Sequence, residues 1–278
     1  MRAYGSQFRV KPELTSPLLA SSNRKGHLFT LQVTVMIILH TVSAGKPVFD
    51  STVDLHQTKV SYCEAHTICF LEGQRRGQIG YMAGERFIAL FSQLNYSDTL
   101  WINVNALLSQ GARPNNFDWV YGEKIWNQSF SKLSDQLQKT QNSAIDRVAV
   151  YTKEKLITGT NTTDQKFAFL CDHRLDNQMN RVTRKEMFRS NSMLPKSIHA
   201  LSDETTGCFR KNYEVSLVQC GIKCHRDSAC RSLYYNGISS ECFRARYVDS
   251  LLMKKDWDRN SPGWKRFSRP TWSTADEI

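Results

Sequence analysis

Long apolar runs are scarce in this chain of 278 residues. The one clear run, Leu28–Leu39, is shorter than the roughly 20 apolar residues that a bilayer-spanning helix needs. Basic residues precede this run and small residues follow it, which is the pattern of a secretory signal peptide. We therefore expect residues 1–44 to form a cleaved signal peptide with an extended amino-terminal region. The alternative is that this segment is retained as a type II membrane anchor.

Catalytic motifs are also missing. The sequence contains no nucleophile elbow, no phosphate-binding loop, no HExxH zinc motif and no paired acidic motif, and its seven histidines are scattered. It has no internal repeat and no low-complexity tract. These absences argue against an enzyme, so we expect no catalytic residues and no cofactor.

Cysteine, in contrast, is concentrated towards the C-terminal end. Five of the eight cysteines lie in one 35-residue window, which includes the spacing C-x3-C-x5-C-x11-C. A thiol cluster this dense is typical of a disulfide framework, which persists only in an oxidising compartment. Three N-x-S/T sequons agree with passage through a secretory pathway, at Asn95, Asn127 and Asn161. We expect a secreted, glycosylated extracellular protein.

Positive charge is distributed unevenly along the chain. The net charge is +11, yet residues 45–171 carry 13 basic and 12 acidic side chains, whereas residues 208–269 carry 13 basic and six acidic ones. Outside cells the natural polyanion is a sulfated glycosaminoglycan or an anionic cell surface, so we expect no nucleic acid partner. The simpler alternative is that these charges only keep the surface soluble.

The region from about 58 to 173 reads as two helices followed by short strands. Helical apolar spacing covers Glu64–Glu72 and Gly84–Leu94. Short runs typical of β-strands follow at 100–108, 117–126, 147–153 and 167–172. This order predicts an α+β module.

The same module resembles a C-type lectin-like domain. The segments that carry the resemblance are Glu64-Ala65 ahead of Cys69, Leu100-Trp101-Ile102-Asn103, Trp119-Val120-Tyr121-Gly122 and the closing Phe169-Leu170-Cys171-Asp172. In that family the helical cysteine bridges the terminal one, which implies a disulfide between Cys69 and Cys171.

Departures from the family pattern bear on function. Calcium-dependent members use a Glu-Pro-Asn or Gln-Pro-Asp triplet and a Trp-Asn-Asp strand, because calcium needs six to eight oxygen ligands. The loop after Trp126 has no such triplet, and the strand at 154–165 lacks Trp-Asn-Asp. We therefore expect calcium-independent binding and no metal. Trp101, Trp119 and Trp126 are expected in the core rather than as platforms for sugars.

The second module spans 208–268 and follows a polar linker at 174–207, with a tail at 269–278. A helix over 216–224 carries Cys220 and Cys224 on one face, and two strands joined at Gly237 follow it. This resembles a PAN/apple domain, a helix packed on an antiparallel sheet. The resemblance implies the pairs Cys220–Cys242 and Cys224–Cys230. The spacing does not match the usual paired cysteines or histidines of zinc sites.

One cysteine is left over in each module, Cys63 in the first and Cys208 in the second. We hypothesise that these two bond to each other and tie the modules together. The alternatives are an intermolecular disulfide that makes a dimer, or a Cys63–Cys69 pair that leaves Cys171 for Cys208.

Taken together, these features indicate a secreted recognition protein that binds extracellular glycans or glycoproteins. The alternative is an adhesion or matrix protein that binds glycosaminoglycan through the basic second module, with the first module as a scaffold. It would contact a membrane only if the amino-terminal segment is retained. The residues expected to contact a polyanion are Lys223, Arg226, Arg231, Arg244 and Arg246.

Overall fold

The computed structural model of the chain describes residues 52–91, 96–109, 119–123, 147–152, 155–158, 165–175, 188–190, 207–260 and 263–269. Several sequence-based expectations concern residues outside these ranges and stay predictions, namely those about 1–44, Asn95, Asn127, Asn161, Trp126 and 270–278. Within the described ranges, no helix combines the length and the apolar character needed to cross a bilayer.

The described chain is α+β. Its helices are α1 (Tyr62–Arg75), α2 (Phe87–Phe91), α3 (Leu217–Arg226) and α4 (Lys254–Asn260). Its strands are β1 (Thr52–Val60), β2 (Gln78–Met82), β3 (Leu100–Asn105), β4 (Val120–Tyr121), β5 (Val148–Thr152), β6 (Lys155–Thr158), β7 (Phe167–Leu175), β8 (Arg189–Ser190), β9 (Phe209–Asn212), β10 (Cys230–Asn236), β11 (Glu241–Arg246) and β12 (Trp264–Ser268).

Seven of these strands form the first sheet. Its order is β1-β7-β3-β5-β6, with β2 added to β7 and β4 added to β3. Strand β7 is therefore central, and its pairing with β3 is parallel while it runs antiparallel to β1 and β2. Trp101 and Trp119 are fully buried, as the sequence analysis predicts. Trp101 also donates a hydrogen bond from Nε1 to the Val60 carbonyl oxygen at 2.8 Å.

Helix α1 begins at a side-chain cap and packs closely on β2. The Ser61 hydroxyl accepts a hydrogen bond from the Glu64 backbone N–H, which satisfies one of the free donors of the first turn. A Cβ on Gly73 would lie 2.2 Å from the Gly80 nitrogen, and a Cβ on Gly80 would lie 1.9 Å from the Cys69 carbonyl oxygen. The two glycines therefore allow the helix and the strand to touch through their backbones.

The second sheet has five strands in the order β8-β12-β10-β11-β9, and every pairing in it is antiparallel. Helix α3 covers one face and begins with a capping box, in which Ser216 and Gln219 satisfy each other's backbone N–H groups. The opposite face packs a second apolar cluster made of Tyr234, Phe243, Leu252 and Trp264, against which Trp257 of α4 lies. Helices α3 and α4 thus cover opposite faces of the sheet.

Four disulfides join these elements, and the described residues include no free cysteine. Cys69–Cys171 links α1 to β7, Cys220–Cys242 links α3 to β11, and Cys224–Cys230 links α3 to β10. Cys63–Cys208 connects the first sheet's helix to the second unit across 145 residues of sequence. These are the pairs that the sequence analysis predicts, and the two alternatives for Cys63 are not formed.

The two units share a buried core, which we call the junction. Cys208, Ala229, Tyr247 and Val248 of the second unit pack into the same cluster as the side chains of α1, β3, β5 and β7. Tyr247 stacks on His66 at 5.7 Å between ring centroids and meets the edge of Phe70 at 5.6 Å. The Leu251 backbone N–H donates to the Leu107 carbonyl oxygen at 3.1 Å. The units are therefore packed together rather than simply tethered.

Arg231 enters the junction because β10 contains a bulge. The register of β10 against β11 shifts between Cys230 and Ser232, so Arg231 is the extra residue and its side chain turns towards the first unit. It donates from Nε to the Tyr247 carbonyl oxygen at 2.9 Å and from Nη2 to the Gly122 carbonyl oxygen. Burial lowers the pKa of Arg231 to about 9, so the guanidinium stays charged at neutral pH.

The module boundaries differ from the expected ones. The first sheet begins at Thr52 with β1 and extends to Leu175, beyond the expected range of 58–173. Part of the expected linker at 174–207 belongs to the second unit, because β8 pairs with β12 and Phe188 is fully buried in that unit's core. Two-residue strands such as β8 are too short to carry the alternation from which strands are predicted.

The disulfide between Cys63 and Cys208 generates a prediction about stability. Once Cys69–Cys171 has formed, the loop that it closes runs through residues 63–69 and 171–208, for which the chain-entropy relation gives about 4 kcal/mol. We expect the double variant Cys63→Ser and Cys208→Ser to lose about that much free energy of unfolding in urea denaturation. An unchanged urea midpoint and slope would show that the packed junction alone holds the units together.

Candidate functional site

The five basic residues predicted to contact a polyanion fall into two groups. Lys223 and Arg226, both on α3, are exposed. Arg231 and Arg244 are buried, with 6% and 4% of their surface accessible. Arg246 is intermediate, with 23% of its side chain accessible. The sequence-based assignment of Arg231 and Arg244 to a surface site is therefore wrong.

The physical reason for the burial of Arg244 lies at the C-terminal end of α3. The last carbonyl groups of a helix have no partner within it and carry partial negative charge. Arg244 donates from Nη1 to the Lys223 carbonyl oxygen at 2.8 Å. Arg269 donates from Nη2 to the His225 carbonyl oxygen at 3.1 Å and from Nη1 to the Asp227 carbonyl oxygen at 3.1 Å. These arginines complete the helix end.

Asp227 neutralises part of this cluster. Its Oδ2 lies 3.2 Å from Nη1 of Arg244 and 3.1 Å from Nε of Arg246. Residues two apart on a strand share a face, so the expectation that Arg244 and Arg246 lie side by side agrees with this shared carboxylate. Burial lowers the pKa of Arg244, Asp227 opposes that shift, and the neighbouring Arg210 and Arg246 add to it.

Arg210 is a basic residue that the sequence analysis missed. It is exposed on β9, directly opposite Arg244 in the register of β9 and β11. Arg210, Lys223 and Arg226, together with the partly exposed Arg246, form the basic surface of the second unit. Its composition depends on the β9–β11 register, for which the amino-acid pattern offers no signal.

The opposite face of this sheet carries a different arrangement. Nζ of Lys211 lies 2.9 Å from Oδ1 of Asp256 and 4.6 Å from the centre of the Phe243 ring. Asp256 belongs to α4, whose Lys254 and Lys255 are exposed. These two lysines carry the same charge as Lys223 and Arg226 but lie on the other side of the sheet.

A second polar cluster is buried in the first unit around Glu123. Its Oε1 accepts a hydrogen bond from the Glu85 backbone N–H at 2.6 Å, and its Oε2 accepts one from Nδ2 of Asn103 at 3.0 Å. Arg174 pairs with Asp172 at 2.9 Å and approaches Glu123 at 3.8 Å. Burial raises the pKa of Glu123 to about 7, although the Glu85 N–H and Arg174 partly oppose the shift.

Comparisons with known proteins do not identify a family for this chain. No protein-family model matches the chain, and no curated protein sequence matches it. Among solved structures it is similar to one described as the EPNH mutant of CEL-I, with 11% sequence identity, covering 47% of this chain and 94% of that chain. The TM-score is 0.33, and a likeness at that level carries no argument.

The described residues thus define a disulfide-bonded α+β protein in which one apolar cluster is shared between the two sheet-containing units. Four disulfides in a chain of this size are characteristic of proteins that function in an oxidising, extracellular setting.

Substitution of an arginine that caps the helix should lower the free energy of unfolding rather than the affinity for a ligand. We expect Arg244→Ala to lower the free energy of unfolding by about 2–3 kcal/mol, because charged hydrogen bonds to the Lys223 carbonyl and Asp227 are lost in a buried place. Arg226→Ala, at the same helix end but exposed, should change it by less than about 0.5 kcal/mol. Equal effects in urea denaturation would contradict the assignment of Arg244 to the helix end.

The pKa of Glu123 predicts a pH dependence of stability. Because this pKa is about 7 in the folded protein against an ordinary value of 4.5, the folded state binds the proton more tightly. The stability that this carboxyl contributes is therefore present below pH 4.5 and is lost as the pH rises to 7.

Measuring the free energy of unfolding of wild type minus that of Glu123→Gln isolates this effect. We expect the difference to fall by on the order of 3 kcal/mol between pH 4.5 and 7 and then to level off. The buried His66, whose pKa is lowered to about 3, destabilises both proteins equally in acid and cancels from the difference. A flat difference would show that Glu123 titrates normally.

Proposed function

We propose that this chain is a secreted, non-enzymatic recognition protein that binds glycans or glycoproteins without calcium. In this proposal the first unit is a C-type lectin-like module and the second is a PAN/apple module. The disulfide Cys69–Cys171 between α1 and β7 supports the first assignment. The two disulfides that pin α3 to β10 and β11 support the second.

The observation that carries the proposal is the basic surface of the second unit. Arg210, Lys223 and Arg226 are exposed together on the α3 side of the sheet, beside the partly exposed Arg246. Exposed cations grouped on one face attract a polyanion over about one Debye length, roughly 8 Å at physiological ionic strength. The ligand class that fits an extracellular cationic surface of this size is a sulfated glycan.

Two tryptophan side chains of the first unit belong to its apolar core. Trp101 and Trp119 are completely enclosed, so neither offers a face on which a sugar ring could stack. This favours the second candidate function, an adhesion or matrix protein that holds glycosaminoglycan through the second unit. In that case the first unit serves as a scaffold, which supports the second unit because the two pack together at the junction.

Heparin chromatography of the secreted protein tests the basic surface. We expect the double variant Lys223→Ala and Arg226→Ala to leave the column at lower salt than wild type. Each lost contact with a polyanion should reduce the slope of log affinity against log salt by about 1, as for phosphate contacts. Arg210→Ala should lower the elution salt further. Arg244 is left unchanged in this test because it is buried.

The matched control is the double variant Lys254→Ala and Lys255→Ala, which removes the same charge from the opposite face. Equal losses in both double variants would mean that net charge alone determines retention and that no particular face binds. A glycan array run with calcium and again with EDTA tests the other half of the proposal. EDTA-sensitive binding to neutral sugars would show that recognition depends on calcium.

A further inference from the structure

Four side chains with metal-binding chemistry meet where β1, α1 and β7 pack together in the first unit. Asp54 and His56 lie two residues apart on β1 and so share the face that α1 covers. Glu72 comes from the last turns of α1, and His173 comes from β7. This cluster lies on the first unit and takes no part in the basic surface proposed above.

The distances within the cluster suit a small cation. Nε2 of His173 lies 3.0 Å from Oδ2 of Asp54 and 3.8 Å from Oε2 of Glu72, and the three ligand atoms all lie within 4.8 Å of one another. Zinc bonds to nitrogen and oxygen are about 2.0–2.1 Å, which places neighbouring ligands of a tetrahedral ion roughly 3.3 Å apart. Only a small adjustment of side chains would bring all three atoms onto one ion.

His173 provides the second and independent observation. Its side chain is fully buried. Nε2 lies 3.0 Å from Oδ2 of Asp54, but this contact lacks the angles of a hydrogen bond, and Nδ1 makes no hydrogen bond either. Buried polar atoms almost always form hydrogen bonds, so an imidazole that faces two carboxylates without an aligned hydrogen bond requires an explanation.

Ordinary contacts account for part of the cluster and leave the rest unexplained. Nη2 of Arg76 lies 2.6 Å from Oδ2 of Asp54, and the His56 ring stacks on Phe169 at 4.6 Å between centroids. Nε2 of His56 donates a hydrogen bond to Oε2 of Glu72 at 3.0 Å. None of these contacts satisfies the ring nitrogens of His173.

We propose that Asp54, Glu72 and His173 bind a divalent transition-metal ion, with His56 as a positioning residue that orients the Glu72 carboxylate. Outer hydrogen bonds of this kind hold ligands in place in metal sites. Cys171 lies close to His56 and Glu72 but is bonded to Cys69, so it offers no thiolate. No metal is expected from the sequence, which has neither the calcium-binding triplet nor the spacing of a zinc site. Asp54, Glu72 and His173 come from three separate elements, so they show no ligand spacing along the chain.

Calorimetric titration of the secreted full-length protein with Zn²⁺, after treatment with a chelator, tests this site. We expect saturation near one ion per chain. Glu72→Gln and Asp54→Asn should weaken Zn²⁺ binding at least about 100-fold, since loss of even an outer partner costs roughly 10–100-fold. His56→Phe, which keeps the stacking on Phe169, should weaken it by that smaller factor. Arg76→Gln should strengthen it, because a competing cation is removed from Asp54.

The matched control is Glu64→Gln, the same substitution on an exposed residue of the same helix, which should bind Zn²⁺ like wild type. Asp54→Asn keeps the test decisive if Glu72→Gln is not secreted, since Asp54 is one-third exposed. Absence of saturable binding by the wild type overturns the proposal. Binding that survives both carboxylate substitutions also overturns it, because the ion would then lie elsewhere. Co²⁺ absorption of tetrahedral intensity, lost in the same variants, supports it.

Discussion

The junction between the two units is the constraint on which the rest of the structure depends. The cluster that contains Trp101 and Phe169 also contains Tyr247 and Val248, so residues of the second unit complete one of the apolar clusters of the first. Small units bury too little apolar surface to be stable by themselves, and disulfides commonly supply the difference. Here Cys63–Cys208 and the shared apolar cluster do so together. Tyr247 adopts a φ of +64°, an unfavourable conformation that its contacts with His66 and Arg231 hold in place.

Arginine has two different roles in the second unit, and burial distinguishes them. Arg231, Arg244 and Arg266 are enclosed and bind backbone carbonyls, carboxylates or a tyrosine hydroxyl, so their charge is used inside the protein. The surplus of positive charge that the composition shows is consequently larger than the charge that a ligand meets. The basic surface that remains is small and lies on one face, which gives any polyanion a defined place to bind.

Buried ionisable groups in the first unit follow a related principle. Glu123 and Asp172 share Arg174, and Asn103 and a backbone N–H complete the partners of Glu123. Such a network is stable only when most of its members are satisfied. His173 follows Asp172 and lies on the other face of β7, and neither of its ring nitrogens makes a hydrogen bond. The contrast between two adjacent residues of one strand is what distinguishes a structural network from a candidate metal site.

Much of the local structure could be predicted from the amino-acid pattern. The sequence predicts a helix over 216–224 and two strands joined at Gly237, which correspond to α3, β10 and β11. The family resemblance implies the pairing of Cys220 with Cys242, which the structure has. The Cys63–Cys208 hypothesis came from counting the cysteines left over. These features are local or arithmetic, so a single sequence contains them.

Only the tertiary structure decided which charges are buried and which side chains meet. A bulge in β10 directs the side chain of Arg231, which was expected at the surface, towards the junction. The register of β9 against β11 places Arg210, which was not predicted, on the basic surface. The strand β8 came from a segment expected to be a linker, and Asp54, Glu72 and His173 met across three elements. The physical reason is that hydrophobic periodicity specifies which face of an element is buried, whereas registers and bulges depend on contacts between residues far apart in the chain.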